Sequence, residues 1–254
     1  MPDLEAALGD RPGSAFVPYV TGGFPGVDPA LLHALQDAGA DAVEVGIPFS
    51  DPVMDGGVIQ EASRVAIDAG ARPSEILAMI GEASLRIPVA LMTYVNPVYR
   101  RGFEGFLVEA EKAGVAGIIV PDLPIDEADE WIAACSLRDI APVQLAAPGT
   151  GPDRLERIAR ASRGFLYCVA TYGVTGARDA LAGTARELVE RLRPLTGLPL
   201  LVGVGVGTPE QATEVAAFAD GAIVGSALMA RLLDGDRTGM LDLAAAFRSA
   251  LSVA

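Results

Sequence analysis

The 254-residue chain has one lysine, Lys112, and one histidine, His33. Lys112 falls in the helical stretch Phe103 to Ala113, away from any strand end, which argues against Schiff-base chemistry and covalently held pyridoxal phosphate. His33 sits in the helix predicted from Asp28 to Ala38 as a surface or packing residue. No histidine cluster exists for a catalytic zinc, and no Ser-His or Cys-His pair is expected. Cysteine is scarce too: Cys135, in a predicted helix, and Cys168, in a predicted strand, have neither disulfide nor metal spacing and read as buried small apolar residues. No apolar run approaches the roughly 18–20 residues of a bilayer span, and Met1-Pro2-Asp3-Leu4-Glu5 lacks the regions of a signal peptide. A cytoplasmic protein is expected. The formal charge of −14, with no basic cluster, argues against nucleic acid or anionic membrane as a partner. A single bound phosphate is still allowed. Proton transfer is left to Asp, Glu or Tyr.

What is present is a chain 51% hydrophobic, enough for one sizeable core. Short apolar runs alternate with amphipathic stretches at intervals of roughly 25–35 residues, the βα pattern of a parallel sheet. The strand candidates are Ala15 to Val20, Ala42 to Gly46, Val89 to Thr93, Gly117 to Val120, Ala141 to Leu145, Phe165 to Val169, Leu200 to Gly203 and Ala222 to Val224. Each is apolar throughout, as for strands covered on both faces. Helix starts are read at Asp28-Pro29, Ser74-Glu75, Asp126-Glu127, Pro152-Asp153 and Thr208-Pro209-Glu210. The set predicts a single (β/α)8 TIM barrel over residues 1–254, with a short extra N-terminal helix, Leu4 to Leu8, at its bottom. A doubly wound sheet is the competing architecture, and the glycine pattern of the last quarter favours closure.

In such a barrel the segments after the strands form the active face. Glu44 lies inside the apolar strand Ala42-Val43-Glu44-Val45-Gly46, where an unpaired carboxylate pays several kcal/mol of desolvation or takes up a proton. It is either a proton-poised acid or a core carboxylate satisfied by an arginine or a backbone amide. The long loop Gly46 to Gly57 carries Asp51 and Asp55, and Asp55 precedes the helix Val58 to Ala69. Asp55 fits a residue that reaches over a ligand, and equally a helix N-terminal acid. Glycine-bearing turns follow the last three strands: Gly173-Val174-Thr175-Gly176, Gly203-Val204-Gly205-Val206-Gly207 and Gly225-Ser226. Backbone N–H groups in such turns, with a helix N-terminus, bind phosphate without lysine. Tyr19, Tyr94, Tyr167 and Ile59 would suit a flat apolar ligand, though each alone is better explained by packing than by binding. Asp122, between two prolines, is a further strand-end acid or a rigid turn.

Five segments together give the resemblance: Gly39 to Pro52 with Asp55-Gly56, Tyr94-Val95-Asn96-Pro97, Pro121-Asp122-Leu123-Pro124, Gly173-Val174-Thr175-Gly176 and Gly225-Ser226-Ala227. On these, the chain resembles the tryptophan synthase α subunit over nearly its whole length. The resemblance implies retro-aldol cleavage of indole-3-glycerol phosphate to indole and glyceraldehyde 3-phosphate. Glu44 matches the family's acid/base, and Asp55 the carboxylate facing the indole N–H. Gly176, Gly205, Gly225 and Ser226 match phosphate-binding positions, Tyr19, Ile59, Tyr94 and Tyr167 the indole pocket, and Thr175 the lid, Thr171 to Leu181. No cofactor or metal is implied in this chain. Pyridoxal phosphate is expected only on a partner β subunit, placed near Pro48 to Asp55 in a heterotetramer. A stand-alone lyase that releases free indole is the alternative. The chain departs from the common pattern at Phe24, where Asp is frequent, at Gly57, where Pro is frequent, and at Ala170-Thr171-Tyr172.

Overall fold

In the computed structural model, which describes residues 2–170 and 178–252, eight parallel strands close into a barrel in the order β1 to β8. They are β1 Ala15–Thr21, β2 Val43–Gly46, β3 Val89–Met92, β4 Val115–Ile119, β5 Ala141–Ala146, β6 Leu166–Val169, β7 Leu200–Gly203 and β8 Gly221–Val224. The predicted strands are all present, with ends moved by two residues or fewer, and closure comes from β1 pairing with both β2 and β8. Neighbouring strands are joined by helices, as the uninterrupted apolar runs require. Two predicted helix starts are corrected. The helix expected at Ser74 begins at Pro73, because proline suits the first helical position. The one expected at Asp126 begins at Asp129, after a 3-10 turn at Ile125–Glu127. Asp126 is occupied instead by ion pairs to Arg154 and Arg157. His33 lies exposed on its helix, Pro29–Asp37.

Side chains alternate across each strand, and those facing the axis form an inner cluster. Ala15, Val17, Ala42, Ala90, Val143 and Leu201 belong to it, with Leu4 and Leu8 of the N-terminal helix Leu4–Gly9. That helix starts at Asp3, whose carboxylate accepts the Glu5 N–H at 2.9 Å. Leu4 fits over two glycines. A Cβ on Gly117 would lie 2.6 Å from Leu4 Cδ2, and one on Gly164 would lie 2.8 Å from it. The lower end of the barrel is thus plugged by apolar side chains.

The same end is tied together by Asp41. Its carboxylate accepts from Arg11 Nε at 2.9 Å, Arg248 Nη1 at 2.7 Å and the Phe16 N–H at 2.7 Å. Arg248 also donates to the Ser14 carbonyl at 3.0 Å, so the last helix, Arg237–Ser252, is fastened to the start of β1. The carboxylate and both guanidiniums are about five-sixths buried. Asp41→Ala leaves two shielded cations and one amide without their acceptor. It is expected to cost about 3 kcal/mol and to lower Tm by roughly 6–12 °C, with kcat preserved, since the active face is at the other end. Thermal melts beside steady-state kinetics check this.

Candidate active site

Glu44 occupies β2 one residue before its end but one, directly across from Tyr19 of β1 in the strand register. It is 1% exposed, and its Oε2 has no hydrogen-bond partner among the described residues. The core-carboxylate reading required such a partner. Burial, reinforced by the negative field of Asp55, pushes the Glu44 carboxyl up to about 8, so it holds its proton at neutral pH. Asp55 is half-buried at the end of the β2 loop and is pushed up by burial to about 6, with a hydrogen bond from the Tyr94 hydroxyl working the other way. At pH 7 the pair therefore divides into one acid and one carboxylate, the separation that acid–base catalysis uses.

The loop holding Asp55 is fixed by its neighbours. Tyr94 accepts the Met54 N–H at 3.0 Å and stacks on Phe49 with ring centroids 5.0 Å apart. Gln60 donates to the Asp55 carbonyl at 2.8 Å. Gly56 is the N-cap of the helix Gly57–Asp68, whose first-turn N–H groups have no side-chain cap. Tyr94 in turn begins a short helix, Val95–Arg101, whose first N–H is accepted by Asp122 at 2.8 Å. Asp122 thus acts as a cap supplied from the loop after β4.

Tyr19 and Tyr167 are buried in β1 and β6, and each lies across a glycine. A Cβ on Gly46 would stand 2.1 Å from the Tyr19 Oη, and one on Gly203 2.2 Å from the Tyr167 Oη. Both hydroxyls are held well above the ordinary tyrosine range, by burial first and then by Glu44 and Asp55, so both remain neutral. These shared electrostatic effects bring Glu44, Asp55, Tyr19 and Tyr167 into one site, with Tyr94 beside Asp55. Ile59 is buried in the first turn of its helix and packs in the main core cluster that also contains Tyr19. Phe24, one of the departures, is buried in the same cluster, so an apolar ring is accommodated there. Met92 and Leu145 were not singled out in the sequence. They end β3 and border the end of β5, half-buried, against the inner cluster. Their apolar runs gave no signal that distinguished them from core.

The Tyr167 contact gives a test. Gly203→Ala drives a methyl into the ring and is expected to lower kcat/KM for indole release about 10²-fold and Tm by roughly 2–10 °C. Added to Tyr167→Leu, the same substitution is expected to cost almost nothing more, because the clash is gone. Kinetics of the two single variants and the double variant measure this.

The turns after β7 and β8 lie against these tyrosines. Gly225 packs on Tyr19, with its ideal Cβ position 3.2 Å from the ring, and precedes the helix Ser226–Leu233. No side chain caps that helix, and Ser226 is exposed. In the other turn Val204 has φ +64° and Gly205 φ +109°. A β-branched residue in the left-handed region stores about 1–2 kcal/mol, a strain that composition does not reveal. The Gly207 and Thr208 N–H groups are taken by Gln211 Oε1, at 2.7 and 3.2 Å, in the capping box of the helix Pro209–Ala216. Gly205 is exposed. Thr175 and Gly176 lie outside the described residues, as do residues 171–177 of the lid expected from Thr171 to Leu181. Among the described residues no group of three or more His, Cys, Asp or Glu is placed to hold a metal ion, and no helix is long and apolar enough to cross a membrane.

Residues 6–249 match the family model described as tryptophan synthase alpha chain. The chain belongs to that family. A tryptophan synthase alpha chain from Oceanobacillus iheyensis is 44% identical over 232 residues, 90% of this chain and 88% of its own. One from Streptomyces avermitilis is 44% identical over 238 residues, 92% of this chain and 86% of its own. Among solved structures, Mycobacterium tuberculosis tryptophan synthase superposes with a TM-score of 0.91 at 36% identity over the full length of both chains. The tryptophan synthase subunit alpha of Legionella pneumophila gives 0.89 at 30% identity, again over both full lengths. As a member of the tryptophan synthase alpha chain family, the protein is a lyase of tryptophan biosynthesis that cleaves indole-3-glycerol phosphate to indole and glyceraldehyde 3-phosphate. Alpha chains of the family carry no cofactor themselves and work with a β subunit.

Proposed function

We propose that Glu44 and Asp55 carry the cleavage as a divided pair, with residues 1–254 acting as one barrel domain. Protonated Glu44 delivers a proton to indole C3 and, as the resulting carboxylate, accepts the proton of the side-chain hydroxyl. The C–C bond then breaks with indole as a neutral leaving group and the aldehyde of glyceraldehyde 3-phosphate as the other product. Ionised Asp55 faces the indole N–H and stabilises the positive charge that builds on the ring during C3 protonation. The phosphate rests on N–H groups at Gly176, Gly205, Gly225 and Ser226, and Tyr19, Ile59, Tyr94 and Tyr167 hold the indole ring. Thr175 belongs to the lid that excludes water.

The observation that carries this reading is the buried Glu44 Oε2 with no described partner, on a carboxyl that keeps its proton at pH 7 beside a second carboxyl that does not. Among the described residues no arginine is bonded to it to give it a structural purpose. The indole passes to a β subunit, which holds the pyridoxal phosphate; this chain needs neither cofactor nor metal, and the pair works in the cytoplasm. Indole release by the purified chain is measured alone and with a β subunit. Stimulation by the β subunit supports the partnership. Full activity alone and no response to the partner overturns it in favour of a stand-alone lyase.

A further inference from the structure

Beside the barrel mouth, between the loops after β4 and β5, lies a cavity of about 580 Å³ that the cleavage reaction does not use. Its floor includes Gln144. In β5 the flanking Val143 belongs to the inner cluster and Leu145 packs on it, so Gln144 points outward, under the helix Pro152–Ala161. The residue is 8% exposed. Its backbone N–H donates to Ser162 Oγ at 3.1 Å, but its carboxamide has no partner among the described residues. The carboxamide therefore presents a donor and an acceptor to the cavity.

The walls are apolar, from Leu123, Ile125, Leu145 and Ile158. The rim is of another kind. Gly151 and Arg154, both on the cavity, are the N-cap and third residue of the ten-residue helix Pro152–Ala161, which has no side-chain cap. Proline at its first position brings no N–H, so the next two N–H groups are the free donors. Arg154 and Arg157 share the single carboxylate of Asp126, leaving one positive charge in excess among these three. Asp122 also lines the cavity. It is already engaged with the Val95 N–H, and burial raises its carboxyl above the usual range. The far wall is held in place by Arg191, which donates to the carbonyls of Pro148 and Thr150 at 3.0 and 2.5 Å.

We infer that this cavity is a second ligand site, for a small carboxylate with an apolar body and a hydrogen-bonding group at the far end. The carboxylate sits at the helix N-terminus and Arg154, the body lies between Leu123 and Ile158, and the far group pairs with the Gln144 carboxamide. This site does not use Glu44 or Asp55, though Asp122 and Leu145 border both it and the active face.

The probe is 4-hydroxyphenylacetate, titrated into the purified chain by calorimetry, with phenylacetate as the version that lacks the far group. The hydroxy acid is expected to bind with a Kd of about 1 mM or tighter. Gln144→Leu, close in volume, is expected to weaken it about tenfold while leaving phenylacetate unchanged, and Arg154→Ala to weaken both acids. Thermal melts establish that each variant is folded. No binding up to about 10 mM, equal binding to Gln144→Leu, or competitive inhibition of indole release against indole-3-glycerol phosphate, which would put the acid at the active site, each overturns the proposal.

Discussion

Glu44→Gln is expected to lower kcat for indole release by about 10³-fold while leaving KM within a few-fold, since amide and carboxyl have the same shape and only one delivers a proton. The same variant is expected to gain stability, and the gain should grow with pH. The folded protein holds the Glu44 proton up to about 8, far above the ordinary glutamate value of 4.5. Between those two values the folded state binds the proton and the unfolded chain has released it. This contribution to stability is therefore complete below about 4.5 and is lost as the pH rises through about 8. Glutamine has nothing to titrate. The difference in Tm between Glu44→Gln and the parent should be small near pH 5 and reach roughly 10–20 °C, on the order of 5 kcal/mol, near pH 9. Paired thermal melts across this range, with activity assays on the same preparations, measure both. Undiminished turnover would remove Glu44 from the chemistry, and a pH-independent difference in Tm would show that its carboxyl is not held protonated.

The activity of the parent protein should follow a bell-shaped curve with limbs near 6 and 8, from ionised Asp55 and protonated Glu44. Asp55→Asn tests the division of labour. It is expected to lower kcat about 10²-fold and to strip the Asp55 ionisation from the acidic limb, leaving only that of the substrate phosphate. Its second effect is more specific. Asp55 is one of the two causes that raise Glu44, so removing its charge should move the alkaline limb to lower pH. A profile that loses activity but keeps both limbs in place would mean that Asp55 only shapes the loop. The two limbs report the pair together and are measured as kcat/KM against pH for parent and variant.

The barrel could be read from the chain because each strand is a short apolar run with no competing periodicity, and because β7 and β8 end in glycine turns. The Ser74 start was off by one residue for a local reason, proline at the first helical position, whereas the helix that was missed and the cap misread at Asp126 depend on distant residues. Val95–Arg101 went unpredicted, since its cap is Asp122, 27 positions away. Asp126 looked like a local cap but is used across space by Arg154 and Arg157. At the candidate site, Glu44 was conspicuous as a charge in an apolar strand, yet whether an arginine would meet it is a three-dimensional fact. The absence of a described partner at Oε2 separates the two readings. Gly46 and Gly203 looked like ordinary strand-end glycines. Only the tyrosine rings above them show why no side chain fits.

The leucine plug at the lower end of the barrel bears on where the catalytic proton comes from. Among the described residues, Leu4 and Leu8 close the lower interior with packed hydrocarbon, which disfavours a water path to the carboxyl from below. Glu44 then exchanges with bulk solvent through the mouth, where substrate sits. While the mouth is covered, the hydrogen placed on indole C3 must be the one Glu44 already carried when substrate arrived. In heavy water, chain equilibrated in H₂O and mixed rapidly with substrate should therefore transfer protium to C3 in its first turnover and deuterium in those that follow.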